Sequence, residues 1–372
     1  MEKTWIGIPE VLFFQEGPGV RNTQYTTEGV KLLNVANLVD GKVDLSTSDR
    51  YISEDEAYGK YIHFLCDAGD FIVASSGIKV DYIDKKMGFI DESMLPLCMN
   101  TSTIRFKVLD SNRLNIKYFM YYLKSHHFKG QLAREITGSA QLNYGPSHLK
   151  KMIMPLVDLV QQNEIVRKMD NIQNIVDMRR KELVALDELI KARFVELFGD
   201  PIRNTQNRPT TDFINVVKMQ RGFDLPVQDR QQDGDIPVFG SNGALDRHNV
   251  AKVQGGGVIT GRSGTIGKVY YTEGDYWPLN TSLFSIDTHG NNIIYLAYLL
   301  KMYDLSRFTE GTGVPTLNRN KFHNEPIIDV PLSEQEVFAS FVKQTDKSKV
   351  VVQKALDEAQ LLFDSLMHKY FG

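Results

Sequence analysis

The 372-residue chain has only two cysteines, Cys66 and Cys98, both in its first half. That excludes a disulfide framework and suits a reducing, cytoplasmic setting. No apolar run approaches the roughly 18 residues that a membrane-spanning helix needs. The apolar stretch after Trp5 is broken by Gly7, Pro9 and Glu10, so no signal peptide is expected. Neither sign of charge dominates: 43 Lys and Arg against 46 Asp and Glu leave a net charge of −3. A uniformly basic nucleic-acid binder is excluded, though a basic strip on one face is not. There is no Pro-Pro dipeptide, and so no Asn/Asp-Pro-Pro-aromatic loop to hold a flipped base as an amino-methyltransferase does. Paired carboxylates with a nearby lysine, as in a metal nuclease, are not evident, and His126-His127 lacks metal-ligand spacing. A DNA-modifying enzyme acting alone is therefore disfavoured.

What is present is one unit written twice. Asn115-Ile116-Lys117-Tyr118, with Tyr121, Leu123 and Lys124, maps onto Asn292-Ile293-Ile294-Tyr295, with Tyr298, Leu300 and Lys301, giving six identities in ten positions at an offset of 177. Leu197-Phe198-Gly199 maps onto Tyr370-Phe371-Gly372 at an offset of 173, Asn100-Thr101-Ser102 onto Asn280-Thr281-Ser282, and Ser76-Gly77 onto Ser263-Gly264 at 187. A steadily shrinking offset is what two copies with different loop lengths produce. The hydrophobic fraction of 42% lets each copy bury a core of its own.

Each copy ends in a heptad helix. Steps of four and three visit Ile165, Met169, Ile172, Val176, Arg179, Leu183, Leu186, Ile190, Arg193 and Leu197, and in the second copy Phe338, Val342, Thr345, Lys349, Val352, Leu356, Ala359, Phe363, Leu366 and Tyr370. Eight of the ten are apolar in each. Such a narrow stripe suits another helix better than a globular surface, so the two are expected to pair antiparallel, each about 60 Å long at 1.5 Å per residue. Pro331 and Ser333-x-x-Glu336 form a strong start signal for the second helix; Asp158-x-x-Gln161 is a weaker one for the first. Arg179, Arg193, Thr345 and Lys349 interrupt the stripe and are expected to meet the partner helix or fix its register.

The segments before the helices are expected to be mixed and strand-rich. Strands are predicted over Asp70–Ser75, Thr103–Val108 and within Val253–Tyr271, and helices over Asn115–Lys129 and Asn291–Asp304. The run Gly261-Arg262-Ser263-Gly264-Thr265-Ile266-Gly267-Lys268 invites a nucleotide phosphate-loop reading. It fails because Arg262 stands where the motif needs glycine and Val269 where it needs Ser or Thr. A hairpin with Arg and Lys at its tip fits better.

At this point the residues resemble a known family. Asp235-Ile236-Pro237-Val238-Phe239-Gly240-Ser241-Asn242-Gly243, the run from Gly261 to Val269, and Trp277-Pro278-Leu279-Asn280-Thr281-Ser282 are similar to target recognition domains of type I restriction-modification specificity subunits. Lys31-Leu32-Leu33-Asn34-Val35-Ala36-Asn37-Leu38, Gly69 to Gly77 and Asn100-Thr101-Ser102 resemble a second variety of that domain. In that family each recognition domain is followed by a spacer helix entered through a Pro and a Gln, which Pro155 with Gln162 and Pro331 with Gln335 match. The resemblance implies an α+β fold: two similar mixed α/β, strand-rich DNA-recognition domains, 1–157 and 200–330. They would be separated by an antiparallel coiled coil of two long helices, 158–199 and 331–372, with a pseudo-twofold internal repeat. It implies a non-catalytic subunit with no cofactor of its own. Each recognition domain would read one half of a bipartite, asymmetric double-stranded DNA site, and the helices would set the gap. Two methyltransferase subunits would dock on the helices and nuclease-translocase subunits would join them, bringing the methyl donor, ATP and Mg²⁺. Half-sites about one helical turn apart, ~34 Å, are within reach of a rod of this length.

The resemblance does not name base-reading residues. By type and position the candidates in the first domain are Arg21, Asn22, Gln24, Ser75, Ser76, Lys79, Ser139, Gln141 and Asn143. In the second they are Arg221, Ser241, Asn242, Arg247, His248, Arg262, Lys268 and Thr312. All are expected in loops with donors suited to base edges or phosphates. The rival readings are a coiled-coil scaffold without a DNA role, which salt-dependent DNA binding would separate, and the stand-alone enzyme.

Overall fold

The computed structural model describes residues 3–77, 79–136, 143–311 and 315–372. The chain forms two compact units, one comprising Met1–Asp177 and Asp357–Gly372, the other Met178–Leu356.

The first unit contains strands β1 (Thr4–Gly7), β2 (Leu12–Glu16), β3 (Val30–Leu33), β4 (Tyr51–Ile52), β5 (Phe71–Ala74), β6 (Met87–Phe89), β7 (Leu97–Met99), β8 (Thr103–Val108) and β9 (Ile153–Leu156). An antiparallel sheet runs β2-β8-β5-β6, a smaller one β4-β3-β7 with β3 and β7 parallel, and β1 pairs with β9. Every residue of β5 is buried. Because side chains alternate across a strand, Phe71 and Val73 enter a core with Phe119, while Ile72 and Ala74 enter another with Leu97 and Met99. The four-stranded sheet therefore lies between a helical layer and the smaller sheet.

That layer is α1 (Ile116–Lys124) and α2 (His126–Glu135). The sequence predicts one helix over Asn115–Lys129. Instead Ser125 turns extended (ψ 153°), and its side chain accepts from Phe128 N–H to cap α2. Asn115 caps α1 by accepting from Lys117 N–H.

The second unit repeats this plan with β10 (Thr210–Asp212), β11 (Lys218–Arg221), β12 (Ile236–Gly240), β13 (Gly243–His248), β14 (Gly257–Gly261), β15 (Val269–Thr272), β16 (Trp277–Pro278), β17 (Ser282–Asp287) and β18 (Pro326–Ile328). Its sheets run β11-β17-β14-β15 and β13-β12-β16, with β12 and β16 parallel, and β10 pairs with β18. Each of these strands corresponds to the one nine places earlier, so the duplication inferred from short identities extends to the order and direction of the main sheets; the pairs Leu38–Val39 with Lys42–Val43 and Thr309–Glu310 with Thr316–Leu317 stand outside the shared plan. Here the head helix α4 (Ile293–Tyr303) is unbroken and ends at left-handed Asp304 (φ 52°).

The long helices are α3 (Leu159–Phe198) and α5 (Leu332–Phe371). Both helices begin at their predicted start signals. Asp158 Oδ1 accepts from Gln161 N–H at 2.8 Å, and α5 begins at Leu332, directly after Pro331, which puts Ser333 inside the first turn. Within the second unit the helices run antiparallel: Lys349 Nζ meets Asp187 at 2.6 Å, the Arg193 guanidinium lies over Phe341, and Phe194 packs edge-on to Phe338 at 5.4 Å. Of the four polar seam residues, among the described residues only Lys349 forms an ion pair across to the other helix. Arg179 and Arg193 pair with Glu182 and Glu196 on their own helix, and the Thr345 hydroxyl bonds to Phe341 O. Near the head the buried spacing changes from four-three steps to Ile190, Phe194 and Phe198. A straight helix of 3.6 residues per turn meets a globular surface this way.

Two buried glutamines join helix to head in the same manner. Gln162 Oε1 accepts from Asn115 N–H at 2.9 Å while Nε2 donates to Arg113 O and Val157 O. Gln335 Oε1 accepts from Asn292 N–H at 2.8 Å while Nε2 donates to Asn291 Oδ1 and Val330 O. The far end of a long helix closes each core: Phe198 packs on Tyr295 at 5.2 Å in the second unit, and Phe371 on Tyr118 at 5.1 Å in the first.

Candidate nucleic-acid interface

In the second unit a polar rim forms where three connections meet. Gly240 pairs with Gly243, so Ser241-Asn242 is the two-residue tip of the β12–β13 hairpin. The loop 262–268 joins the antiparallel strands β14 and β15, the predicted hairpin. A Cβ on Gly261 would lie 3.2 Å from Ser241 Cβ and one on Gly264 3.7 Å from Ser241 Oγ, so tip and loop are in contact. The 279–281 connection completes the rim: Arg262 N–H donates to Thr281 O at 2.8 Å and Arg262 Nε to Asn280 O at 3.1 Å. Ser263 also bridges to Thr316.

The first unit has the counterpart. Ser76 bridges to Asn143, Ser76 Oγ donates to Ser102 Oγ at 2.6 Å, and Ser75 N–H donates to Ser102 O at 2.7 Å. The bridges Ser76–Asn143 and Ser263–Thr316 stand at the repeat's own offsets, 187 and 173.

The structure treats the proposed contact residues unequally. Ser76 and Asn143 come together, as do Ser241 and Arg262, with Asn242 and Lys268 exposed beside them. Lys79, Arg21 and Asn22 are exposed; Gln24 is half-buried and holds Glu56 and the Tyr61 hydroxyl. Ser75 is fully buried and its hydroxyl faces Glu16, so the expectation that it stands in an open loop is corrected. Arg221, Arg247 and His248 are also not in loops: they lie on β11 and β13. His248 is buried with its ring edge-on to Trp277 at 5.3 Å, because β13 turns that position toward the Trp277 side of the small sheet. Arg247 lines a hollow of about 390 Å³ with Asp235, Pro237, Ala244, Leu245 and Asp246. Ser139, Gln141 and Thr312 lie outside the described residues. Among the described residues no group of three His, Cys, Asp or Glu side chains could hold a metal, and no helix is long and apolar enough to cross a membrane.

Residues 35–188 and 203–359 match the type I restriction modification DNA specificity domain. The chain belongs to this family. A curated relative, the type I restriction enzyme MjaVIII specificity subunit of Methanocaldococcus jannaschii, is 24% identical over 190 residues. That match takes in 50% of this chain and 43% of the relative, so the chain spans less than half the relative's length. The fold is that of an S subunit of a type I restriction-modification system from M. genitalium, with a TM-score of 0.57, 16% identity, and coverage of 100% of this chain and 96% of that one. A second solved chain, from work on assembly and conformational transition of the type I R-M system, gives 0.57 at 15% identity, covering 99% and 97%.

Both specificity domains also carry cations stacked on rings in or beside their smaller sheets, which sequence reasoning missed. Arg50 lies 5.3 Å from the Tyr25 ring and Lys31 5.3 Å from Tyr51; in the second, Lys252 lies 5.0 Å from Phe223 and 5.8 Å from Trp277. Lys31 is held protonated above the usual lysine range, first by its hydrogen bond to Asp49. Cation and ring are far apart in sequence in the second domain, so no short motif could reveal them.

Proposed function

We propose that this chain is the non-catalytic, DNA-reading subunit of a cytoplasmic type I restriction-modification complex. The observation that carries the reading is the pairing of two heads of identical sheet order with two 40-residue helices. Domains 1–157 and 200–330 each take one half of a split, asymmetric site. The helices 158–199 and 331–372 set the gap and dock two methyltransferase subunits, to which nuclease-translocase subunits add. Exposed apolar residues along the helices, among them Val184, Val195, Val350 and Val351, support docking, since solvent-facing valines on a paired helix serve no seam. The rims hold the base-reading side chains; Ser241, Asn242, Ser76 and Asn143 are placed best for it.

The test is base-resolved adenine methylation across the source genome with and without this chain. Loss of one motif with two defined halves and a fixed gap is expected. No change in a cell that expresses the partner methyltransferase would favour the scaffold reading instead.

A further inference from the structure

The loop between β14 and β15 carries a feature that base reading does not explain. Beyond Ser263, whose N–H donates to Thr281 O at 3.2 Å, the N–H groups of Gly264, Thr265, Ile266 and Gly267 meet no acceptor among the described residues. Gly264 and Gly267 are left-handed, φ 82° and 87°. Left-handed residues within a turn bring successive N–H groups to one side, which makes an anion-binding concavity. The Thr265 carbonyl lies against Gly261: a Cβ there would fall 1.8 Å from Thr265 O, so only glycine permits that packing.

The loop is also rigidly held. Ile266 packs against the core of the unit, Thr260 Oγ1 donates to Lys268 O at 2.9 Å, and Leu317 N–H donates to Arg262 O at 2.7 Å. Arg262 is pinned at Nε by Asn280 O, and neither terminal amino group has an acceptor among the described residues. Neither Arg262 nor Lys268 forms an ion pair among the described residues. Two acids lie near the loop: Asp304 is engaged by the amide and hydroxyl of Ser306, and Asp224 accepts from the side-chain amide of Asn280.

We propose that this loop binds one backbone phosphate of duplex DNA. The amides of Gly264 to Gly267 and the guanidinium of Arg262 hold it, Lys268 adds charge, and the contact fixes the head on the duplex without reading sequence. This rests on the DNA-reading function above. A free nucleotide is the poorer fit, because the loop leads into strand β15, not into a helix whose N-terminus would hold a phosphate chain. The clamp is one-sided. The repeat places Ser75 of the first unit opposite Arg262, and Ser75 is buried against Glu16.

The test uses the full chain, random-sequence duplex DNA and fluorescence anisotropy between about 50 and 200 mM salt. The double variant Arg262→Ala, Lys268→Ala should bind about tenfold more weakly, with a log K against log salt slope shallower by about 1. Arg262→Lys should keep most of the slope, and thermal unfolding should show that the variants fold. In cells, the methylated motif should keep every base. Inorganic phosphate titrated into ¹⁵N-glycine-labelled protein should move the amides of Gly264 and Gly267. Unchanged affinity and slope in the double variant would overturn the proposal, as would a base change in the motif, which would make Arg262 a sequence reader. If wild type bound no duplex even at low salt, the DNA-reading function itself would fail. Phosphate shifts at Gly264 and Gly267 in that case would leave an anion site with no DNA.

Discussion

Replacing Gln335 by leucine should loosen the second unit far more than its single side chain suggests. Leucine fills a similar volume at a position only 1% exposed, so little packing is lost. What is lost is the acceptor for Asn292 N–H and the donor to Val330 O and Asn291 Oδ1. Asn291 can swing toward water, but the other two are backbone groups at the junction of helix and head. Each buried group left without a partner costs about 1–3 kcal/mol, which gives about 3 kcal/mol after a small apolar gain. For a unit of about 180 residues that is a fall of roughly 6–12 °C in melting temperature. Differential scanning calorimetry would measure the fall. Hydrogen exchange would locate it in peptides spanning 291–303 and 331–342. Gln335→Glu should cost at least as much at neutral pH, because a carboxylate then faces two oxygens. Its penalty should ease as pH falls, because a protonated acid can donate again. A change under 1 °C in the leucine variant, with unaltered exchange in those peptides, would refute the reasoning.

Arg105→Ala should destabilise the first unit by about 3 kcal/mol in urea unfolding, because it removes one of the two cations paired with buried Asp70, leaving Lys107, and strips Leu65 O and His63 O of their donor. Lys349 titrates above its usual 10.5: burial opposes this, but bonds to Asp187 and Asp346 outweigh it. A raised folded pKa means that its contribution, at most about 1 kcal/mol, is fully present below 10.5 and lost as pH rises through the folded value. The cost of Lys349→Met should thus be flat from about pH 6 to 9 and shrink above 10.5. Burial pushes both cysteine thiols up to about 12, so a thiol reagent at about pH 8 should label Cys66 and Cys98 only after denaturation. Deleting one heptad from each long helix, about 10 Å of rise, should change the permitted gap by about three base pairs and leave both half-sites intact, as methylome sequencing would show.

The skeleton was legible in the sequence because the forces that build it leave periodic traces. Four-three spacing marked both helices, and β-branched runs marked β5, β8, β14 and β15. The identities around Tyr118 and Tyr295 exist because both rings receive a phenylalanine from a helix end. The Pro and Gln at each helix entry, noticed as a resemblance, turn out to include the two glutamines that bind helix to head. The rims were less legible. Loop composition pointed to Arg262 and Ser241, which the structure places in adjoining turns at half-buried positions. It could not show that Ser75, one residue before exposed polar positions, is turned inward by the period-two alternation of β5. Nor could it show that His248 sits on a strand face. The break at Ser125 was hidden because serine competes equally well inside a helix and as its cap, and only the tertiary setting decides.

The same comparison explains why the two heads can share a skeleton yet differ at the rim. Each head fixes two helices: a buried glutamine holds the start of the helix that follows it, and aromatic rings hold the end of the other. These contacts are made by Gln162, Tyr118 and Phe371 in one unit and by Gln335, Tyr295 and Phe198 in the other, and none of them involves the loops that carry Ser76 or Ser241 among the described residues. Substitution at the rim therefore leaves the joints untouched. Arg262 illustrates the separation: its backbone is tied to Thr281 and Leu317, so its side chain can change without disturbing either sheet. The joints admit no such freedom, because every polar atom of each glutamine side chain is used. A chain built this way can alter what each head contacts while the helices keep their seats.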